Sequence, residues 1–110
     1  MSVKRAESLP KRRATREQRL GHLNPDERAV LLLLGRQVRA LRLQRHAEAL
    51  AVGQPKVTID ALAAKAGINA SVLGEIERGR VNLSLMVLTR LARALNVGLP
   101  VLFQADEGQG

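Results

Sequence analysis

The chain has 110 residues, a formal net charge of +8 and a pI near 11.5; 45% of it is hydrophobic, and its one aromatic residue is Phe103. That length fits one small domain with a core built from aliphatic side chains. The absence of cysteine excludes disulfides, thiolate metal sites and cysteine nucleophiles, and no apolar run approaches the ~18 residues of a membrane-spanning helix.

The charge is unevenly spread: residues 1–24 carry +5, residues 25–57 carry +3, and residues 58–110 are neutral. A small protein this basic meets polyanions readily, most often nucleic acid, because neutralising phosphates releases counterions. A basic tail kept for solubility gives the same composition.

Residues 1–23 are polar and arginine-rich, with Pro10 and Gly21 breaking any long helix. They read as a disordered basic arm, transiently helical between Lys11 and Leu20. Lys11, Arg12, Arg13, Arg16 and Arg19 suit a DNA backbone or a minor groove, while a solvated tail or a protein-binding segment fits equally. No apolar segment follows the basic N-terminus, so a secretory leader is not expected. A cytoplasmic, nucleoid-associated protein is the simplest expectation.

Asn24-Pro25-Asp26-Glu27 is a helix start: a cap, a proline in the first turn, and two acids facing the positive helix end. The spacing predicts a helix from residue 25 to about 50, roughly 39 Å long. Val30, Leu34, Val38 and Leu41 form one stripe, expected to pack on the elements that follow. Leu32, Leu43 and Leu50 form a second stripe on the opposite face. Either the arm or a bend in the helix covers it, or it is a contact to a second copy. Arg36, Arg39, Arg42 and Arg45 form a solvated face from which some reach phosphates. The stretch 52–56, with Gly53 and Pro55, is a loop.

Residues 58–79, TIDALAAKAGINASVLGEIERG, read as two short helices joined by a tight turn, the unit that lays its second helix in the major groove of DNA. Thr58 and Asn69 suit the two N-caps. Ala63 is small where the second helix crosses, and Gly67 supplies the positive φ that ends the first helix. Leu62, Ile68, Leu73 and Ile76 form the shared seam. Ala70, Ser71, Gly74, Glu75 and Arg78 are left facing outward. Ser84 then caps another helix, reaching about residue 96, with Leu85, Leu88, Leu91, Ala92 and Leu95 as its apolar face. The apolar run 97–103 closes the fold, with Pro100 permitting at most a short last helix, and 104–110 is a polar tail. No strand pattern and no internal repeat is visible, so the fold class is all-α.

Over residues 34–103 the chain resembles the Cro and lambda-repressor-like (XRE) helix-turn-helix family. The likeness rests on LGRQVRALR, on the 58–79 stretch with its IERG, and on NLSLMVLTRLARALNVGLPVLF. The resemblance implies a compact five-helix domain, here with an extended first helix, that regulates transcription, commonly as a dimer on a palindromic operator. It divides the chain into an arm (1–23), a DNA-binding domain (24–103) and a tail (104–110). By resemblance, Asn69, Ala70, Ser71 and Glu75 occupy the DNA-facing positions of the recognition helix. Thr58 opens the helix whose start meets a phosphate, and Glu77 pairs with an arginine of the first helix, either Arg39 or Arg42.

Chemistry limits what those residues read. Ala70 can touch a thymine methyl, Ser71 can pair with several base edges, and Glu75 can accept from cytosine N4. Arg78 and Arg80 are better suited to phosphates, which position without specifying. Three departures stand out. Ile59 replaces the glutamine that family members often carry. Gly74, which lies inside the recognition helix, costs ~1 kcal/mol relative to alanine unless it permits a close approach. About ten residues around 45–56 are inserted, which moves the second-copy contact away from the usual C-terminal surface (here Leu102 and Phe103) toward Leu32, Leu43 and Leu50.

An enzyme is not expected. His22 and His46 are isolated from any catalytic partner, no metal-ligand spacing occurs, and no cofactor is implied. The reading is a sequence-directed double-stranded-DNA-binding regulator, a repressor and a homodimer. Its rivals are an antitoxin or bridging module that holds a protein partner through the arm or the extended hairpin, and a non-specific architectural DNA binder.

Overall fold

A computed structural model describes residues 22–104. Four α-helices, α1 (Pro25–Ala51), α2 (Ile59–Ala66), α3 (Ala70–Glu77) and α4 (Leu85–Ala94), are followed by a 3-10 segment, Leu99–Phe103, with no strand among the described residues. The fifth helix expected from the family pattern is this single 3-10 segment. Pro100 in its first turn removes a backbone donor and restricts the run. Residues 1–21 of the arm, including Lys11, Arg12 and Arg13, lie outside the described residues.

Each helix begins on the cap its sequence provides. Asn24 and Glu27 form a reciprocal capping box, with Glu27 N–H donating to Asn24 Oδ1 (2.8 Å) and Asn24 N–H to Glu27 Oε1 (2.9 Å). Thr58 Oγ1 accepts from Ala61 N–H at 3.1 Å, and Ser84 Oγ accepts from Val87 N–H at 3.1 Å. The ends are equally local. Gly67 at φ +74° lets the Ile68 N–H reach back to Ala63 O at 2.9 Å, which closes α2 and fixes the tight turn. Asn96, left-handed at φ 60°, closes α4 in the same way through Val97 N–H to Ala92 O.

The core is wholly aliphatic. Leu34, Val38 and Leu41 of α1 meet Leu62, Ala63 and Ala66 of α2, Leu73 and Ile76 of α3, Leu88 and Leu91 of α4, and Leu102. Burying each leucine or isoleucine contributes roughly 1.5–3 kcal/mol. Three expectations are corrected here, the first being Leu85, expected on the apolar face of α4 but 65% exposed at that helix's first position. Val30 is 47% exposed, and Leu31 takes its place in the core. Leu31, Leu34, Val38 and Leu41 repeat at 3-4-3 spacing, whereas Val30 stands at the edge of that stripe, beyond the reach of neighbouring elements. Leu102, a candidate for contact with a second copy, is fully buried and packs inside its own chain. The 3-10 segment turns it inward and leaves Phe103 exposed; Gln37 Nε2 holds the segment by donating to Val101 O at 2.9 Å.

Candidate nucleic-acid interface

The recognition helix α3 is short and is held at both ends. At its start Asn69 Oδ1 accepts two hydrogen bonds, from Ser71 N–H at 2.8 Å and from the Ser71 hydroxyl at 2.7 Å. Both residues are exposed. This use of the oxygen matters for base reading. A bidentate grip on adenine needs both the amide oxygen and the amide nitrogen of asparagine, and here only the NH₂ donors remain available. Ala70, expected to face out, is half-buried and packs against the core.

Further along, Gly74 is buried and not outward-facing as its position suggested. The atom that a Cβ there would meet is Arg78 Nη1, at 3.2 Å. Arg78 thus folds back across the glycine one turn earlier, and its Nη1 lies 3.7 Å from Glu75 Oε2. Half its side chain is still exposed, as Arg80 is, so both guanidinium groups remain within reach of solvent-side phosphates. Thr58 is exposed at the start of α2, beside a notch whose other walls include Leu43 and His46 of α1.

The C-terminal end of α3 is clamped to α1. Arg42 Nε donates to Glu77 Oε2 at 2.7 Å and Arg42 Nη2 to Glu77 Oε1 at 3.0 Å, a bidentate pair with side-chain exposures of 11% and 5%. Of the two arginines expected as partners for Glu77, the structure selects Arg42; Arg39 is exposed. Arg42 Nη1 also donates to Val57 O at 3.4 Å, drawing in the lead to α2.

Two further anchors were not found by sequence reasoning. Val57 N–H donates to His46 Nδ1 at 3.0 Å, so this histidine is a strut between α1 and the start of α2. Gly35 is a point of close approach between α1 and α3: an added Cβ would fall against Ile76 O and 2.9 Å from Glu77 O. A glycine inside a leucine-rich helix was the available signal for that contact. Leu32 of the second stripe lies against Gly79 yet is 44% exposed, as Leu43 is, and Leu50 is 54% exposed.

The arrangement thus has an exposed, capped N-terminal end of α3, two exposed arginines at its C-terminal end, and a buried clamp that sets its angle. Residues 33–104 match the family model described as "Helix-turn-helix domain". The chain belongs to the lambda-repressor-like helix-turn-helix family. Members of this helix-turn-helix family are DNA-binding regulators of transcription. Among solved structures, the restriction-modification controller protein C.AhdI of Aeromonas hydrophila is 32% identical, with 68% of this chain and 98% of that one covered and a TM-score of 0.53. The hypothetical transcription factor NHTF from Neisseria is 24% identical, covers 77% of this chain and 86% of its own, and shares the fold at a TM-score of 0.60. No curated protein matches the sequence significantly. Among the described residues, no cluster of potential metal ligands occurs and no helix is long and apolar enough to cross a membrane.

Proposed function

We propose that this helix-turn-helix protein binds double-stranded DNA in a sequence-directed way and represses transcription, acting as a homodimer on a palindromic operator. The observation that carries the reading is the disposition of α3: its polar N-terminal end is exposed, while its other end is fixed to α1 by the buried Arg42–Glu77 pair. A reading helix needs that combination, because base-edge hydrogen bonds discriminate only from a fixed position. The similarity to C.AhdI, a controller protein, supports a regulatory role.

In this reading Asn69 and Ser71 approach base edges, Ala70 offers at most its edge to a thymine methyl, and Glu75, whose Oε1 is buried, has only Oε2, beside Arg78, to offer a cytosine. Thr58, Arg78 and Arg80 meet phosphates, joined by Lys11, Arg12 and Arg13 of the arm (1–23), which follows the adjacent groove. The domain proper is 24–103 and the tail 104–110. Gly74 serves by seating Arg78 and does not itself approach DNA. The second copy docks on the α1 face that carries Leu43 and Leu50, with Leu32 at its edge and Phe103 as the C-terminal alternative.

The test is selection of bound sequences from a random duplex pool at two salt concentrations. A palindromic motif that survives the higher salt is expected, and its half-site spacing would report the dimer geometry. Recovery of no motif, with binding lost as salt rises, would refute sequence direction and leave an architectural binder.

A further inference from the structure

The loop after α1 builds a surface that the DNA reading does not use. Residues of the 52–57 loop leave the end of α1 and return to α2, enclosing a groove of about 690 Å³ between α1, α2 and the end of α4. Its floor is apolar, lined by Ala49, Val57, Leu62 and Leu95, with Val52 standing 69% exposed at its mouth. Its rim is cationic. Arg45 donates through Nε to Leu95 O at 2.9 Å and pairs with Glu48 at 3.2 Å, so the carboxylate on this rim is already answered. Lys56 and Lys65 are exposed and form no ion pair among the described residues.

The positive character continues sideways. A second depression of about 450 Å³ shares Lys65 and Ala94 with the groove and is bounded by Arg90 and Arg93. Across the two, five cations face one carboxylate, Glu48. Asp60, Glu75 and Glu77 line neither depression, and nor do Asn69, Ser71, Arg78 and Arg80. The groove is therefore a separate surface from the candidate reading face.

We propose that this groove docks an acidic segment of a partner protein, one that presents aliphatic side chains to the floor and carboxylates to Lys56, Lys65, Arg90 and Arg93. Both halves of the surface argue for that chemistry. Long-range positive potential steers a carboxylate-rich segment toward the site. The apolar floor rewards aliphatic anchors, which a phosphate backbone lacks. The loop gives the docking surface a wall of its own, and because the reading face contributes nothing to it, partner and DNA are held together.

The probe is a fluorescein-labelled amphipathic peptide with leucines at i and i+4 on one face and glutamates elsewhere, titrated with the full chain and followed by anisotropy. A matched peptide carries serine in place of leucine. Saturable binding in the micromolar range is expected for the leucine peptide, with the serine peptide and the Lys56→Glu/Lys65→Glu variant each weaker by about tenfold or more. The far-UV circular dichroism of the variant should match the parent, since both lysines are exposed. Absence of saturation, equal affinity for the two peptides, or undiminished binding by the variant would overturn the proposal. Competitive displacement of the peptide by a duplex oligonucleotide would do the same, because it would make the groove a phosphate track.

Discussion

Gly35 and Gly74 are both glycines inside helices, and they should respond to alanine with opposite signs. On helix propensity alone each substitution gains ~1 kcal/mol. At Gly35 the added Cβ falls against Ile76 O and 2.9 Å from Glu77 O, the last backbone carbonyls of α3, and neither can rotate away. Relief requires α1 to retreat from α3, drawing Leu34 and Val38 out of close contact and straining the Arg42–Glu77 pair. Overpacking of this kind costs typically ~1–3 kcal/mol, and more when the obstacle is backbone, so a net loss of about 1–2 kcal/mol is expected. For a domain of this size that lowers Tm by roughly 5–15 °C. At Gly74 the obstacle is Arg78 Nη1, at 3.2 Å, the tip of a flexible and half-exposed side chain. It can swing aside, so Gly74→Ala should keep most of the ~1 kcal/mol gain and raise Tm by roughly 4–8 °C. Thermal unfolding of both variants by far-UV circular dichroism decides the matter. A Gly35→Ala protein at least as stable as the parent would refute the close approach of α1 to α3.

Glu77→Gln leaves the Arg42 guanidinium nearly buried without its countercharge and should cost about 3 kcal/mol in urea denaturation, whereas Arg42→Met/Glu77→Leu should recover most of that loss. A double variant no better than the single one would show that the pair is not the source of the cost. Arg78→Ala should weaken binding to every duplex alike and flatten the salt dependence by about one unit; a change confined to one base position would contradict its phosphate role. Leu43→Glu should fold normally, since the side chain is exposed, and should shift sedimentation to the monomer. An unaltered profile would remove the α1 face as the contact between copies.

Much of the fold was legible because much of it is local. Asn24, Thr58, Asn69 and Ser84 each cap a helix by bonding to an N–H within three residues, and Gly67 turns the chain through its own φ. Such features are written in contiguous residues. Most of the misreadings involve partners distant in sequence. Val30 and Leu31 differ by one position on the same helix, and only the extent of the neighbouring elements decides which is covered. Leu102 looked available at the end of the chain until the 3-10 segment turned it into the core. His46 had no nearby partner because its partner, the Val57 N–H, comes to it across the loop after α1. Gly74 was expected to face outward because the path of Arg78, one turn further on, depends on a rotamer, which spacing does not encode.

The anchors of α1 explain why a long first helix and the loop after it are compatible with a fixed α3. Gly35, Arg42 and His46 fall along the stretch of α1 that meets α3 and the lead to α2, and all three act on backbone or on a buried carboxylate. The helix beyond His46 bears none of these ties, so it can lengthen and carry a new loop without moving α3. The same anchoring places a limit on readout. The oxygen of Asn69 is spent on Ser71 and Ala70 is turned toward the core, leaving few base-edge groups on α3 itself. Under the proposed dimeric reading, sequence preference then draws on DNA shape and on the register of two linked half-sites. Substitutions at the α1 anchors should therefore depress preference between sequences more than overall affinity, because shape is read only by a frame that keeps its own.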